Sequence, residues 1–415
     1  MTKSDKNLKY FVDLFLKFYN LSSIKTWRNS PSNMNTNFTE LNHIFVKSSI
    51  FLIISEIIEK DYNHKVNYEN FLDILIGHSL IRYAFKDINI ELLRNIKKKD
   101  IIKFVIEEYE RNEIELNNKD KTRIKKYYND SLEKFIWNIA STITNKLDYL
   151  NIKGHPLNLK YLEKEIEKNF KIWENNIIKS RYHEKFPDIY FKANSLQEVY
   201  KFIYNSTIQQ RWNGVDLLKK ISIGEHQILV TLLFFKYLEI FESEKIKNEF
   251  NNKFIKYNLI NLIFHDAPEV ITKDINSPIK KNLNGLREIL EKKLEKEALE
   301  ENFFRLLPSN ISKTFKQLNL LEPFEDRKIK NIKILGKVGK QMDDLTAFLE
   351  AVYNLVLGNK LPYIKQAAYE IFKKYKNLDN QKQLLIMHEI GKKLEIIEEI
   401  PFINYINTMQ NTLLC

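Results

Sequence analysis

Cysteine, glycine and proline are scarce in this sequence, and each scarcity excludes a class of protein. The lone cysteine, Cys415, is the last residue and cannot form an internal disulfide, which excludes a disulfide-stapled fold. Only 9 glycines and 9 prolines occur among the 415 residues. A strand-rich fold needs such residues at its frequent turns, so their scarcity predicts an all-α protein with short connections.

Long apolar segments and targeting signals are missing as well. The longest apolar runs, such as Ile228–Phe235, fall well short of the ~20 residues that span a bilayer. The first residues, Met1–Lys6, lack the apolar core of a secretion signal. These features predict a cytoplasmic protein without a membrane-spanning segment.

The composition is that of a folded protein with a basic surface. Hydrophobic residues make up 44% and charged residues 29%, which excludes wholesale disorder. The net charge is +12, but Lys and Glu are mixed along the chain, as in residues 286–301. This mixing indicates a solvated surface with a modest bias toward anionic ligands, and nucleic-acid binding is the least favoured function.

Several motifs recur at constant spacing in the two halves of the chain. In each half an arginine precedes a histidine by fifteen residues, and the string Lys-Asp-Ile-Asn begins eight residues after a second histidine. The recurring residues are Arg28, His43, His78 and 86–89 in the first half, and Arg211, His226, His265 and 273–276 in the second. An Asp-x-Leu-x-x-Phe motif recurs at 130–135 and 343–348. Coincidence in a low-diversity sequence is the alternative, but identical offsets favour a tandem repeat.

The repeat and the length predict two tandem helical bundles and additional C-terminal helices. We place the first bundle at residues 1–150, a helical connection at 151–195, the second bundle at 196–360 and a C-terminal helical extension at 361–415. The connection includes the local helix breakers Gly154–Pro156.

His226, His265, Asp266 and Asp343 form a nitrogen and oxygen ligand set suited to a divalent cation. We expect His265 and Asp266 to be neighbours on a helix, about 100° apart, and still to reach one ion between helices. A His-Asp pair alone is more often a structural hydrogen bond. The pattern becomes specific only through its wider context.

That context resembles the bacterial 5′-deoxynucleotidases of the HD-domain superfamily. The similar segments are Gly224–His226, His265–Lys280 and Lys340–Leu345, and Arg211-Trp212 resembles the family's Arg-Trp pair at the matching distance. The resemblance covers roughly residues 196–360. It implies an HD-domain fold and the hydrolysis of deoxynucleoside 5′-monophosphates with a divalent metal ion, which could be Mn, Co, Fe, Ni, Zn or Mg.

Residue by residue, the resemblance implies that His226, His265, Asp266 and Asp343 hold the metal. Asp344 competes with Asp343 for the fourth place, but the Lys-Gln-x-Asp-x-Leu frame favours Asp343.

The resemblance also implies roles in substrate binding and catalysis. Glu269 would be the catalytic acid–base group, Arg211 would bind the phosphate, Trp212 would shape the sugar and base pocket, and Asp274 would accept a hydrogen bond from the sugar hydroxyl. Glu269 could instead be a solvated helix carboxylate, and Asp274 a helix cap. Trp212 is by itself as compatible with the core as with a pocket.

Two departures from the family pattern concern substrate preference. Pro268 replaces a small polar residue, and Lys273 replaces a glycine beside Asp274. The second change could alter access to the sugar side of the substrate.

The first copy keeps His43, His78 and Asp130, but it has Ser79 where the second copy has Asp266, and Arg82 where it has Glu269. We expect it to be a catalytically inactive, degenerate HD domain. Because such family members form homodimers, it could act as a built-in partner in an intramolecular pseudo-dimer, and further oligomerisation is possible. Alternatively, Arg28 and Arg82 could bind a regulatory nucleotide phosphate.

Three functions therefore remain open. The leading one is hydrolysis of a small-molecule nucleotide, a deoxynucleoside 5′-monophosphate. A deoxynucleoside triphosphate triphosphohydrolase and a non-catalytic nucleotide sensor are the alternatives.

Overall fold

The computed structural model is helical almost throughout and confirms the all-α prediction. It describes residues 2–25, 38–85, 96–152, 160–212, 215–242, 246, 249–272, 293–318, 320–378 and 380–396. The first half contains α1 (Lys3–Asn20), α2 (Glu40–Asp61), α3 (Tyr68–Ala84), α4 (Lys98–Arg111), α5 (Asn118–Lys126) and α6 (Leu132–Ile152). The connection contains α7 (Lys160–Ile178), α8 (Arg181–Lys185) and α9 (Ile189–Asn194).

The second half is mainly helical as well. Its helices are α10 (Gln197–Ile208), α11 (Ile223–Phe241), α12 (Asn252–Ile263), α13 (Glu269–Thr272), α14 (Ser309–Lys316), α15 (Gly336–Val356), α16 (Pro362–Asn377) and α17 (Gln381–Lys393). A short antiparallel hairpin joins β1 (Arg327–Ile329) to β2 (Ile332–Ile334) just before α15.

Helix α2 is the central helix of the first half. By length and composition alone it could cross a membrane, a possibility that the apolar runs of the sequence did not indicate. However, 94% of its apolar window is buried inside the structure, which is typical of a core helix in a soluble protein.

Helices α2 and α11 meet at their N-termini through reciprocal hydrogen bonds. Thr39 caps α2 and donates its hydroxyl hydrogen to Glu225 of α11. Ser222 caps α11 and donates to Oδ1 of Asn42 in α2 at 2.6 Å. Each cap lies four residues before a histidine of the predicted repeat. The tandem repeat stays a prediction, and these equivalent contacts are the arrangement expected for it.

Gly224 allows α11 to approach α2 this closely. A Cβ atom at Gly224 would lie 2.7 Å from the ring of Phe45, closer than real contacts allow. The absence of a side chain is therefore required at this crossing point.

A buried ionic network also joins the two halves. Arg123 of α5, which is 1% exposed, donates to Asp73 at 2.8 Å and to Asp120 at 3.0 Å. It donates as well to Glu239 of α11 at 2.9 Å, and Lys236 of the same helix donates to Asp120 at 2.7 Å. Buried charges are tolerated when they are paired and hydrogen-bonded in this way.

One hydrophobic core extends through both halves. It runs from Phe11 in α1 to Ile396 after α17. Phe11, for example, packs against Tyr237 and Phe241 of α11 with ring centroids 6.1 and 5.3 Å away. The core itself does not mark the predicted domain limits, which stay a prediction.

We expect Arg123→Met to destabilise the whole chain. It would leave the buried carboxylates of Asp73, Asp120 and Glu239 short of a partner, which typically costs about 3–5 kcal/mol. Urea unfolding followed by circular dichroism would measure the loss. Arg111→Met is the control, because Arg111 forms only exposed ion pairs and its removal should cost at most about 1 kcal/mol. Equal effects of the two changes would contradict a structural role for the network.

Candidate metal centre

Three separate elements carry the four predicted metal ligands. His226 is the fourth residue of α11 and is fully buried. Asp343 is the eighth residue of α15 and is also buried. His265 and Asp266 lie between α12 and α13. The structure thus brings together side chains that are up to 117 residues apart in the sequence.

The polar atoms of these four side chains converge. Nε2 of His226 lies 2.7 Å from Oδ1 of Asp343 and 4.0 Å from Oδ2 of Asp266. Nε2 of His265 lies 3.2 Å from the same Asp266 oxygen. One ligand atom from each of His226, His265 and Asp343 fits within 4.8 Å of the others. Two imidazoles and two carboxylates gathered in a buried place are a donor set that suits a divalent cation.

The His265-Asp266 pair lies in a turn, and the prediction that it lies on a helix is wrong. Helix α12 ends at Ile263, and residues 264–268 form consecutive turns. Pro268 explains the break, because proline has no N–H to donate and its ring would clash with the carbonyl of Phe264 in a continuous helix. In the first half Ile81 occupies the place of Pro268, and α3 runs through His78 without interruption.

Three hydrogen bonds fix this turn. Nδ1 of His265 donates to the carbonyl of Leu262 at 2.6 Å, which leaves Nε2 to face the site. With its amide oxygen toward the turn, the buried Gln227 accepts from the backbone N–H groups of Asp266 at 3.0 Å and Ala267 at 3.2 Å. Gln227 follows His226 in α11, so adjacent residues of one helix provide a candidate ligand and position another.

The electrostatic environment keeps both carboxylates ionised. Burial opposes the charge on Asp266, but His265, His226 and Arg211 together outweigh it and lower the pKa of Asp266 to about 2. Burial likewise opposes the charge on Asp343, yet Lys340 and His226 hold the pKa of Asp343 well below its ordinary value. Ionised carboxylates are the form that binds metal.

The two adjacent aspartates of α15 have different partners. Asp343 faces His226, whereas Asp344 accepts a hydrogen bond from Tyr375 of α16 at 2.7 Å and pairs with Lys374. Lys340 contacts Asp343 and lies 3.1 Å from Asp344. This geometry favours Asp343 as the ligand and gives Asp344 the role of attaching α16 to α15.

The part of the chain that carries these residues matches a known family. Residues 198–394 match the family model described as 5′-deoxynucleotidase YfbR-like. These residues belong to the YfbR-like family. The chain is therefore an enzyme, an HD-domain phosphohydrolase.

We call residues 198–394 the YfbR-like domain. It extends beyond residue 360 and includes α16 and α17. The match does not include the first half, so a degenerate HD copy there stays a prediction. A search of curated proteins and a search of solved structures gave no significant match.

Glu350 is a site residue that the sequence analysis missed. Its buried carboxylate lies on α15 two helical turns after Asp343. Oε1 of Glu350 is 3.0 Å from Nδ1 of His226 and 3.3 Å from Nη1 of Arg211, and Oε2 accepts from Nε1 of Trp212 at 2.6 Å. A carboxylate on one imidazole nitrogen orients the other nitrogen toward a metal. The spacing of seven residues from Asp343 was the signal available in the sequence.

Arg211 and Trp212 lie in the turn that precedes α11, next to the site. The Arg211 side chain contacts His226 as well as Glu350. Trp212 has a φ angle of +57°, a left-handed conformation that is costly for a bulky residue. Its hydrogen bond to Glu350 and its edge contact with Tyr363 of α16 hold it there. The structure thus places both residues at the candidate centre, and their roles toward a substrate stay predictions.

Of the two predicted catalytic carboxylates, only Glu269 lies among the described residues. Glu269 is the first residue of α13 and is half-buried, and its N–H donates to the carbonyl of Asp266 at 3.0 Å. It therefore directly follows the turn that carries two candidate ligands. Asp274 lies outside the described residues.

We expect Asp343→Asn and Asp344→Asn to have different effects, because only Asp343 is a candidate metal ligand. Asp343→Asn should reduce bound metal to background, because it removes a ligand charge from the site. Asp344→Asn should retain metal but lower stability by about 1–3 kcal/mol, because Lys374 and Tyr375 lose a charged partner. Metal content of the purified variants and their urea unfolding curves would test both expectations. Metal loss in Asp344→Asn alone would reverse the assignment.

We expect Glu350→Gln to weaken metal binding by about 10–100-fold, the usual effect of losing a carboxylate that orients a ligand histidine. The amide can still accept the Trp212 hydrogen bond, so the pocket should keep its shape. Competition with a chelator would measure the metal affinity. Glu370→Gln, on the exposed face of α16, is the control and should leave it unchanged. Unchanged affinity in Glu350→Gln would exclude this role.

Proposed function

We propose that the chain removes phosphate from deoxynucleoside 5′-monophosphates. The observation that carries the proposal is the convergence of two imidazoles and two carboxylates inside the YfbR-like domain. The family supports hydrolysis of a small nucleotide, and the choice of a deoxynucleoside monophosphate rests on the motif resemblance.

His226, His265, Asp266 and Asp343 would hold the divalent cation. Such an ion, when bound, supplies Lewis-acid activation of a phosphate ester and of water. Its identity among Mn, Co, Fe, Ni, Zn and Mg is not decided by this donor set.

The surrounding side chains would bind the substrate and exchange protons with it. Arg211 presents a planar guanidinium suited to two phosphate oxygens, and Glu350 holds it beside the centre. Glu269 would transfer a proton between its carboxylate and the attacking water or the 5′-oxygen that leaves. Trp212 would form one wall of the sugar and base pocket. The role of Asp274 at the sugar hydroxyl rests on the resemblance alone.

The first half would be catalytically inactive. The proposal is supported by Ser79 and Arg82, which replace a candidate ligand and the acid–base group, and by Asp130, which is 65% exposed and pairs with Arg181 at 3.0 Å. The first half would act as a built-in partner of the YfbR-like domain through the α2–α11 contact. We further propose that the protein is cytoplasmic.

The test is a phosphatase screen of the purified full-length chain with Mn²⁺ or Co²⁺. Deoxynucleoside monophosphates should release orthophosphate. Release of tripolyphosphate from triphosphates would indicate a triphosphohydrolase, and tight nucleotide binding without turnover under any metal would indicate a sensor. Activity that survives in Asp266→Ala would contradict the proposed metal site.

We expect Glu269→Gln to lower kcat by about 10²–10⁴-fold without changing the metal content, because it removes a proton-transfer group but no ligand. Glu301→Gln, an exposed carboxylate in the same domain, is the matched control and should retain full activity. If Glu269→Gln retained normal kcat, Glu269 would be an ordinary helix carboxylate.

A further inference from the structure

Five basic side chains converge in the interior of the first half. They come from three helices, and we call them the basic cluster. The members are His43 and Lys47 of α2, His78 and Arg82 of α3, and Lys134 of α6.

Aromatic contacts show that three members of the cluster are close together. Nζ of Lys47 lies 4.3 Å from the ring centroid of Trp137, and the His78 ring lies 5.4 Å from the same centroid. His78 is also 5.2 Å from the ring of Tyr127, and Nζ of Lys134 lies 3.3 Å from that ring. Lys47 and Lys134 are therefore both near a buried imidazole.

Glu40 brings the other two members to the same place. It pairs with Arg82, and its Oε2 is 3.9 Å from Nδ1 of His43. Burial opposes the charge on Glu40, but Arg82 and His43 together outweigh it and lower the pKa of Glu40 to about 2. The single negative charge of Glu40 is therefore already paired with Arg82. Within the described part of the chain, neither Lys47 nor Lys134 forms an ion pair.

Several nitrogen atoms of the cluster lack hydrogen-bond partners among the described residues. His78 is 4% exposed, and neither of its ring nitrogens is hydrogen-bonded. The same holds for Nε2 of His43 and Nε of Arg82. Buried polar groups are nearly always paired, so a group of unpaired nitrogens in one place indicates a missing acceptor.

The positive charges also oppose one another. Burial lowers the pKa of Lys47 to about 7, and burial together with Lys47 lowers the pKa of Lys134 well below its ordinary value. Burial and the charges of Lys47, Arg82 and Lys134 hold the pKa of His78 well below its ordinary value. An anion placed among them would relieve this repulsion.

The two halves therefore surround a pair of histidines with opposite charge. In the YfbR-like domain the imidazoles face the carboxylates of Asp266, Asp343 and Glu350. In the first half Lys47, Arg82 and Lys134 lie around them, and Trp137 occupies the place of Glu350 when the Asp-x-Leu-x-x-Phe motifs are put in register. We propose that the basic cluster is a binding site for the phosphate group of a small molecule, distinct from the metal centre. Lysine and arginine donors with unpaired imidazole nitrogens are the groups that bind phosphate oxygens.

The test is thermal unfolding of the full-length chain in EDTA, with inorganic phosphate added at constant ionic strength. Phosphate should raise the Tm saturably, because a ligand that binds only the folded state stabilises it. Phosphate also stabilises proteins without binding to them. This non-specific rise in Tm does not saturate and should be the same in every variant. The saturable part is the measure of the site.

Lys47→Met should abolish the saturable rise in Tm. Methionine keeps the length of the side chain over Trp137 and removes the charge, so folding should be preserved, and circular dichroism would check it. Lys134→Met is a second, independent variant with the same expected loss. Lys201→Met, which removes an exposed lysine of α10, is the matched control and should respond like the wild type.

Asp343→Asn should retain the saturable response, because it alters only the metal centre. A response that survives in Lys47→Met and Lys134→Met but disappears in Asp343→Asn would place the phosphate at the metal centre and overturn the proposal. Absence of any saturable response in the wild type would also overturn it.

Calorimetric titration of Asp343→Asn in EDTA would then identify the source of the phosphate group. A deoxynucleoside monophosphate that binds at least 10-fold more tightly than inorganic phosphate, with both lost in Lys47→Met, assigns the site to a nucleotide. Equal affinities assign it to free phosphate. Binding of an oligonucleotide alone, with a steep salt dependence, would contradict a small-molecule site.

Discussion

Helices α2 and α11 meet at their N-termini, and the cap residue of each donates a hydrogen bond to the third residue of the other. His43 and His226 are the fourth residues of these helices, so the same contact fixes the position of both histidines. Gly224 allows the close approach, and the network around Arg123 holds α11 against the first half farther along its length. The candidate metal centre thus includes a helix whose position depends on the other half of the chain.

The chemistry of each half follows from the charges placed around this shared frame. An imidazole can bind either a cation or an anion, so its neighbours decide which. Carboxylates from the His265–Asp266 turn and from α15 make the second site suitable for a cation. In the first half, Lys47, Arg82 and Lys134 lie around His78 instead.

The sequence predicted the helical class and the four candidate ligands for identifiable reasons. Scarce glycine and proline indicated helices, and the ordered motifs around His226, His265 and Asp343 indicated one centre. The turn at His265 was missed because Pro268 was related only to substrate preference. Its effect on the helix was overlooked. Glu350 was missed because it belongs to no motif. Its spacing from Asp343 was the one signal that could have identified it. The unusual backbone of Trp212 and the exposure of Asp130 depend on contacts with distant residues, Glu350 and Arg181, which no local pattern reveals.

The hydrogen bond from Thr39 to Glu225 connects the halves at the residue directly before His226. A molecule that binds the first half and favours one arrangement of this pair would thereby change the affinity of the second half for its own ligand. Thermodynamic linkage requires the second ligand to change the affinity of the first by the same factor. The interface between the two halves would therefore couple the affinities for two ligands bound at separate places in one chain. No separate subunit would need to move.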